Sequence, residues 1–75
     1  MKELDELKVG EEAVIVKMLA ENRRLKDIGL IVGTKTKCVL KSPLGDPAAY
    51  RVRGAVVAIR KEDAEKILVE VLGNE

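Results

Sequence analysis

The chain has 75 residues, with 14 Lys and Arg against 13 Asp and Glu, a length that predicts a single domain over 1–75. Its hydrophobic content of 47% argues against disorder, and no apolar run approaches the ~20 residues a membrane helix needs. There is no His and only one Cys, Cys38, which excludes an intrachain disulfide and a structural zinc site of the Cys/His kind.

The lone Cys fits a reducing cytoplasm. The opening residues Met1-Lys2-Glu3-Leu4-Asp5 are acidic and amphipathic, unlike a signal peptide. Leu4, Leu7 and Val9 are spaced to tuck a lead-in segment against a core, and Gly10 then breaks the chain. Residues 13–19 read as a strand with one face buried, Val14, Val16 and Met18 alternating with Ile15 and Lys17. Asn22 is a good helix N-cap, and a short helix is expected over about 22–29. Gly29 falls where a left-handed C′ residue belongs. Leu25 and Leu30 then occupy the two positions that touch in a Schellman motif.

Gly33 marks a second turn. Residues 34–41 follow as a strand, with Thr34, Thr36, Cys38 and Leu40 on the face expected to be buried and Lys35, Lys37 and Lys41 on the other. Ser42-Pro43-Leu44-Gly45-Asp46-Pro47 is the strongest loop signal in the chain. Residues 49–53 form the next strand, with Tyr50 and Val52 opposite Arg51 and Arg53. Gly54 interrupts before a strand at 55–60, and its brevity suggests a bulge or sharp bend instead of a hairpin turn. One helical turn is expected at about 61–66, a last strand at 67–72 and a frayed tail at 73–75. About five short strands, bent at glycines, predict a mainly β fold in the form of a partly open barrel.

Charge is unevenly spread. Residues 1–12 and 61–75 each carry five acids and two bases, while residues 13–60 carry ten bases and three acids. The simpler reading is pairing of these regions within the fold; the other is a basic docking face for an acidic partner.

Catalysis finds little support. Ser42 is the only Ser, Cys38 lies on the face expected to be buried, and no His is available as a base. The acids concentrate at the two ends and do not converge in sequence, so no metal ligands and no cofactor are assigned. The Gly45-Asp46-Pro47 turn leads into a strand and makes no phosphate loop. Nucleic-acid binding has the bases Lys35, Lys37, Lys41, Arg51 and Arg53, but only Tyr50 to stack on a base. Protein docking through the rigid loop and the short helix is the reading that remains.

Four motifs in this order and spacing carry a resemblance. They are Arg24-Leu25-x-x-Ile28-Gly29-Leu30-x-x-Gly33, Pro43-Leu44-Gly45-Asp46-Pro47, Arg51-x-Arg53-Gly54, and Ala58-Ile59-Arg60-Lys61-x-x-Ala64-x-x-Ile67. From about Leu4 to Val69 the chain resembles the FeoA family, ferrous iron transport protein A. The resemblance implies an SH3-like β-barrel with a helical insertion. It also implies a cytoplasmic accessory protein of prokaryotic ferrous iron uptake that acts on the cytosolic G-protein portion of the transporter FeoB. Family descriptions often add transition-metal binding. A related module in iron- and manganese-dependent repressors makes protein contacts.

Carried over by position, the partner-binding residues are Arg24, Leu25, Gly29, Leu30, Gly33, Pro43, Leu44, Gly45, Asp46, Pro47 and Arg60. They would form a groove between the helix-turn at 22–33 and the loop at 43–47. The departures are mild. Ile28 and Ile31 are aliphatic variants, residues 48–50 are smaller than usual, and Ala55 stands where a larger side chain is common. The alternatives are a nucleic-acid-binding barrel and a direct transition-metal-binding protein. Exposed strand edges also allow a homo-oligomer.

Overall fold

Six strands pair antiparallel in one sheet in the computed structural model, which describes residues 1–72. They are β1 (Lys2–Glu3), β2 (Glu12–Met18), β3 (Lys35–Lys41), β4 (Ala48–Val52), β5 (Ala55–Ile59) and β6 (Ile67–Val71). Their spatial order is β1-β6-β2-β3-β4-β5. A 3₁₀ turn at Leu4–Glu6 and two short helices, α1 (Arg23–Asp27) and α2 (Lys61–Ala64), complete the fold. The mainly β expectation holds, and all five expected strands are present. The added β1 is too short to show an alternation in sequence. The tail expected at 73–75 lies outside the described residues.

The core is almost entirely aliphatic. Leu4, Leu7, Ile15, Leu25, Leu30 and Val69 are each no more than 1% exposed. Pleating puts alternate residues on opposite faces, so β2 buries Ala13 and Ile15 while β3 buries Thr36 and Cys38. Both strands then lose their simple alternation. The β2 register against β6 shifts between Ile15 and Lys17, and Met18 comes back onto the core. The β3 register against β4 shifts between Cys38 and Leu40. An extra residue in one strand reverses which face the next side chain takes. Leu40 is therefore 64% exposed, not buried with Thr34, Thr36 and Cys38.

Two other expectations change. Leu4 and Leu7 do anchor the lead-in segment, but Val9 is exposed. Val9 and Gly10 form the tip of a turn closed by the Glu11 amide donating to the Lys8 carbonyl at 2.9 Å. Residues 53 and 54 form a two-residue hairpin turn and not a bulge, because Val52 pairs directly with Ala55. Arg53 has φ 51° and Gly54 φ 83°. Positive φ at both central residues matches the twist of the flanking strands, and Gly54 adopts it without a Cβ penalty.

Tyr50, the only aromatic residue, is 1% exposed at the centre of β4. Its hydroxyl donates to the Leu4 carbonyl across the core at 3.3 Å, which ties the lead-in segment to the sheet. Burial pushes the phenol pKa up. The raised folded value means that stability is fully present below the unfolded pKa of ~10 and is lost as pH rises beyond it, by ~1.4 kcal/mol per pH unit. Tyr50→Phe should cost about 1 kcal/mol at neutral pH and remove that alkaline slope. Thermal melts of the parent and variant between neutral pH and pH above 10 measure both effects.

Candidate docking surface

The helix-turn is built from local signals. Asn22 caps α1, its Oδ1 accepting from the Leu25 amide at 3.1 Å. At the other end Gly29 has φ 94°, and the Leu30 amide donates to the Leu25 carbonyl at 2.9 Å. The Gly29 amide donates to the Lys26 carbonyl at 3.0 Å. These are the 6→1 and 5→2 bonds of a Schellman motif. Leu25 and Leu30 are buried at 1% and 0%, so they hold the turn from inside.

The Gly29 carbonyl accepts from the Ile31 amide at 3.0 Å and gathers two further donors. The Thr34 hydroxyl reaches it at 2.9 Å, and Arg53 Nε reaches it at 3.4 Å from the β4–β5 turn. The Arg53 side chain lies across Gly29 so closely that a Cβ there would sit 2.5 Å from Cδ and Nε. Glycine is favoured here by its φ, and a Cβ would displace the Arg53 side chain. The turn is stitched to β2 by the Gly33 amide on the Ile15 carbonyl at 2.8 Å and the Ile15 amide on the Thr34 carbonyl at 2.9 Å.

Ile31 and Val32 ride on this turn at 39% and 58% exposed. To one side lies a groove of about 420 Å³, with Met18, Ala20, Asn22, Lys26 and Leu30 in its wall. To the other side lies a shallower depression reaching Lys35 and Arg53. Sequence reasoning treated Ile31 as an ordinary variant and passed over Val32. The available signal was a run of three apolar residues, Leu30, Ile31 and Val32, between the turn glycines Gly29 and Gly33.

The loop at 43–47 is rigid in a different way. The Gly45 amide donates to the Ser42 carbonyl at 2.8 Å, and the Ser42 amide donates to the Pro47 carbonyl at 3.2 Å. Leu44 projects from it at 94% exposed. Asp46 Oδ1 accepts from the Lys61 amide at 2.9 Å. The N-cap of α2 is Arg60, whose side chain makes no cap bond, so the loop supplies the acceptor from outside the helix.

The helix-turn and the loop stand at the two ends of one strand. They lead into and out of β3, whose seven residues span roughly 20 Å at ~3.3 Å each. Between them stands α2, touching Arg24 through Asp63 at 3.8 Å and Asp46 through Lys61. Arg24, Leu44, Pro43 and Arg60 are exposed around this short helix, as are Gly45, Asp46 and Pro47.

Among the described residues, Arg24–Asp63 is the one ion pair joining the basic middle of the chain to an acidic end, since Lys2–Glu11 at 3.8 Å lies within the N-terminal segment. The regions therefore pair far less than expected, and Lys35, Arg51 and Arg53 face solvent. No group of three His, Cys, Asp or Glu side chains suited to a metal ion occurs among the described residues. Cys38 is fully buried, and burial pushes its thiol pKa up, which disfavours the reactive thiolate. No helix among the described residues is long and apolar enough to cross a membrane.

A small, strongly bent antiparallel sheet carrying a capped helix-turn and a rigid hairpin loop is the design of an SH3-like module, and comparison with known proteins agrees. The family model described as FeoA domain matches residues 2–71. The chain belongs to the FeoA family.

It is 36% identical over 74 residues to a Porphyromonas gingivalis Fe(2+) transport protein A/Fe(2+) transporter FeoB fusion protein, covering 95% of this chain but only 9% of the fusion protein. The solution structure of a FeoA protein from Chlorobium tepidum superposes with a TM-score of 0.89 at 40% identity, over 100% of this chain and 73% of the other. The zinc-complexed FeoA of Stenotrophomonas maltophilia, described as a prokaryotic SH3 domain protein, superposes with a TM-score of 0.73 at 31% identity, over 89% and 87% of the two chains.

The packing of Arg53 on Gly29 predicts a coupled pair. Gly29→Ala should destabilise by ~1–2 kcal/mol from its left-handed backbone, plus the displacement of Arg53. Arg53→Ala alone should cost less than ~0.5 kcal/mol as a surface change. Denaturant unfolding of the double variant should then give less than the sum, because the second substitution removes the collision.

Proposed function

We propose that this chain is a cytoplasmic accessory protein of ferrous iron uptake that works, without catalysis, by docking onto the cytosolic G-protein portion of a FeoB-type transporter. The observation that carries this reading is the fusion relative, in which a homologous segment and FeoB share one polypeptide. Joining two modules raises their effective concentration and rewards an interaction between them.

The face around α2 offers the recognition elements. Leu44, at 94% exposed, is the apolar anchor. Arg24 and Arg60, both exposed, steer an acidic surface and speed its encounter. Gly29, Gly33, Pro43, Gly45, Asp46 and Pro47 set the two turns, while Leu25 and Leu30 brace the helix-turn from within. Ile31 and Val32 extend the apolar surface toward β2.

In a pull-down against the cytosolic portion of FeoB, Leu44→Asp and Arg24→Glu should each weaken capture by about tenfold or more, as loss of a ~1.4 kcal/mol contact requires. Unchanged capture in both variants would remove this face from the proposal. A second reading, direct transition-metal binding, is favoured by the zinc complex of the Stenotrophomonas relative. Titration calorimetry with ferrous iron separates the two. The docking reading expects no saturable heat at sub-millimolar iron in the isolated chain.

A further inference from the structure

The two edges of the sheet are treated differently. At one end β1 is only two residues long and both are charged, Lys2 and Glu3. Short, charged edge strands resist pairing with other chains. At the other end β5 has five residues, Ala55, Val56, Val57, Ala58 and Ile59, with no charge and no proline. It pairs with β4 without any register shift, and its first two residues and Ala58 are exposed. Neither shortness, charge, proline nor a bulge protects this edge.

The hairpin geometry says which groups are free. In a two-residue hairpin the pair flanking the turn exchanges both hydrogen bonds, and bonded pairs then alternate along the ladder. Val52–Ala55, Tyr50–Val57 and Ala48–Ile59 are the bonded pairs. The amides and carbonyls of Val56 and Ala58 therefore point away from β4 into solvent.

The charge around this edge has one sign. From Pro47 to Lys61 the sequence holds Arg51, Arg53, Arg60 and Lys61 and no acid. Arg53 and Arg60 stand just beyond the two ends of β5, both exposed. A second copy of this chain is a poor occupant. Antiparallel pairing that matches Val56 with Ala58 brings Arg53 of one copy toward Lys61 of the other, and like charges opposed across strands destabilise.

We propose that the β5 edge accepts an extended, acidic segment of another protein as an additional antiparallel strand. Main-chain bonds to Val56 and Ala58 supply the ladder, and carboxylates at both ends of the segment meet Arg53 and Arg60. The surface shares Arg60 with the Leu44 face but does not depend on the identity of the partner proposed there.

The test is an NMR titration of the full chain with a blocked seven-residue peptide carrying two Glu at each end of a Val-Ile-Val centre. The amides of Val56 and Ala58 should shift and gain protection from exchange, while Val57, already bonded to Tyr50, should keep its protection. Arg53→Glu combined with Arg60→Glu should weaken binding at least tenfold and favour the same peptide with Lys in place of Glu, since the charge contribution reverses. Val56→Pro removes an outward donor that β4 does not use and should weaken binding similarly. If that variant misfolds, the charge reversal decides alone.

Four outcomes would overturn the proposal. They are no change at Val56 and Ala58 on adding the peptide, and equal binding of the Lys peptide by the parent chain. The others are the same shifts appearing with protein concentration alone, which marks self-pairing, and tighter binding of a poly-dT oligonucleotide than of the acidic peptide at the same salt.

Discussion

The carbonyl oxygen of Gly29 is the point at which three distant parts of the chain are joined. The Gly29 amide closes the C-terminal end of α1 on the Lys26 carbonyl, while the Gly29 carbonyl accepts the hydroxyl of Thr34 just before β3 and takes a long bond from Arg53 in the β4–β5 turn. A buried or half-buried carbonyl needs partners, and this one accepts from the neighbouring Ile31 amide as well as from Thr34 and Arg53. The backbone geometry that allows this is open to glycine at little cost and is strained for other residues. The placement of Ile31 and Val32 relative to the β4–β5 hairpin follows from that single node.

The interior asks for a different kind of precision. With one aromatic residue in the chain, the core is filled by branched aliphatics and alanines whose individual contributions are small. The sheet must bend sharply to enclose so small a volume. The register shifts in β2 and β3 accompany that bending. They also send Leu40 outward, so the exposed apolar surface of this protein is partly a by-product of bending the sheet.

What could be read from the sequence was local. The Asn22 cap, the Gly29 stop and the Leu25–Leu30 pairing each depend on residues within one turn of one another, and they appear as expected. The strands were legible from alternation until a bulge changed its phase, as at Val16 and Val39, because register is decided by the neighbouring strand. The Arg53-Gly54 turn was misread because arginine is not a residue that turn chemistry selects. The placement of the docking elements was hidden for a related reason. Only the folded chain puts α2 between the helix-turn and the loop, and only there do Leu25 and Leu30 turn inward.

The bond from the Lys61 amide to Asp46 has a consequence of its own. A four-residue helix has no stability in isolation, and α2 begins on an acceptor that belongs to another segment. Order in the loop and order in α2 are therefore linked by one free energy, which acts equally in both directions. A molecule that grips the loop at Leu44 tightens α2, and one that grips α2 tightens the loop. The tip of the β3–β4 hairpin and the segment leading into β6 behave as a single responsive unit, although sixteen positions separate Leu44 from Arg60 in the sequence.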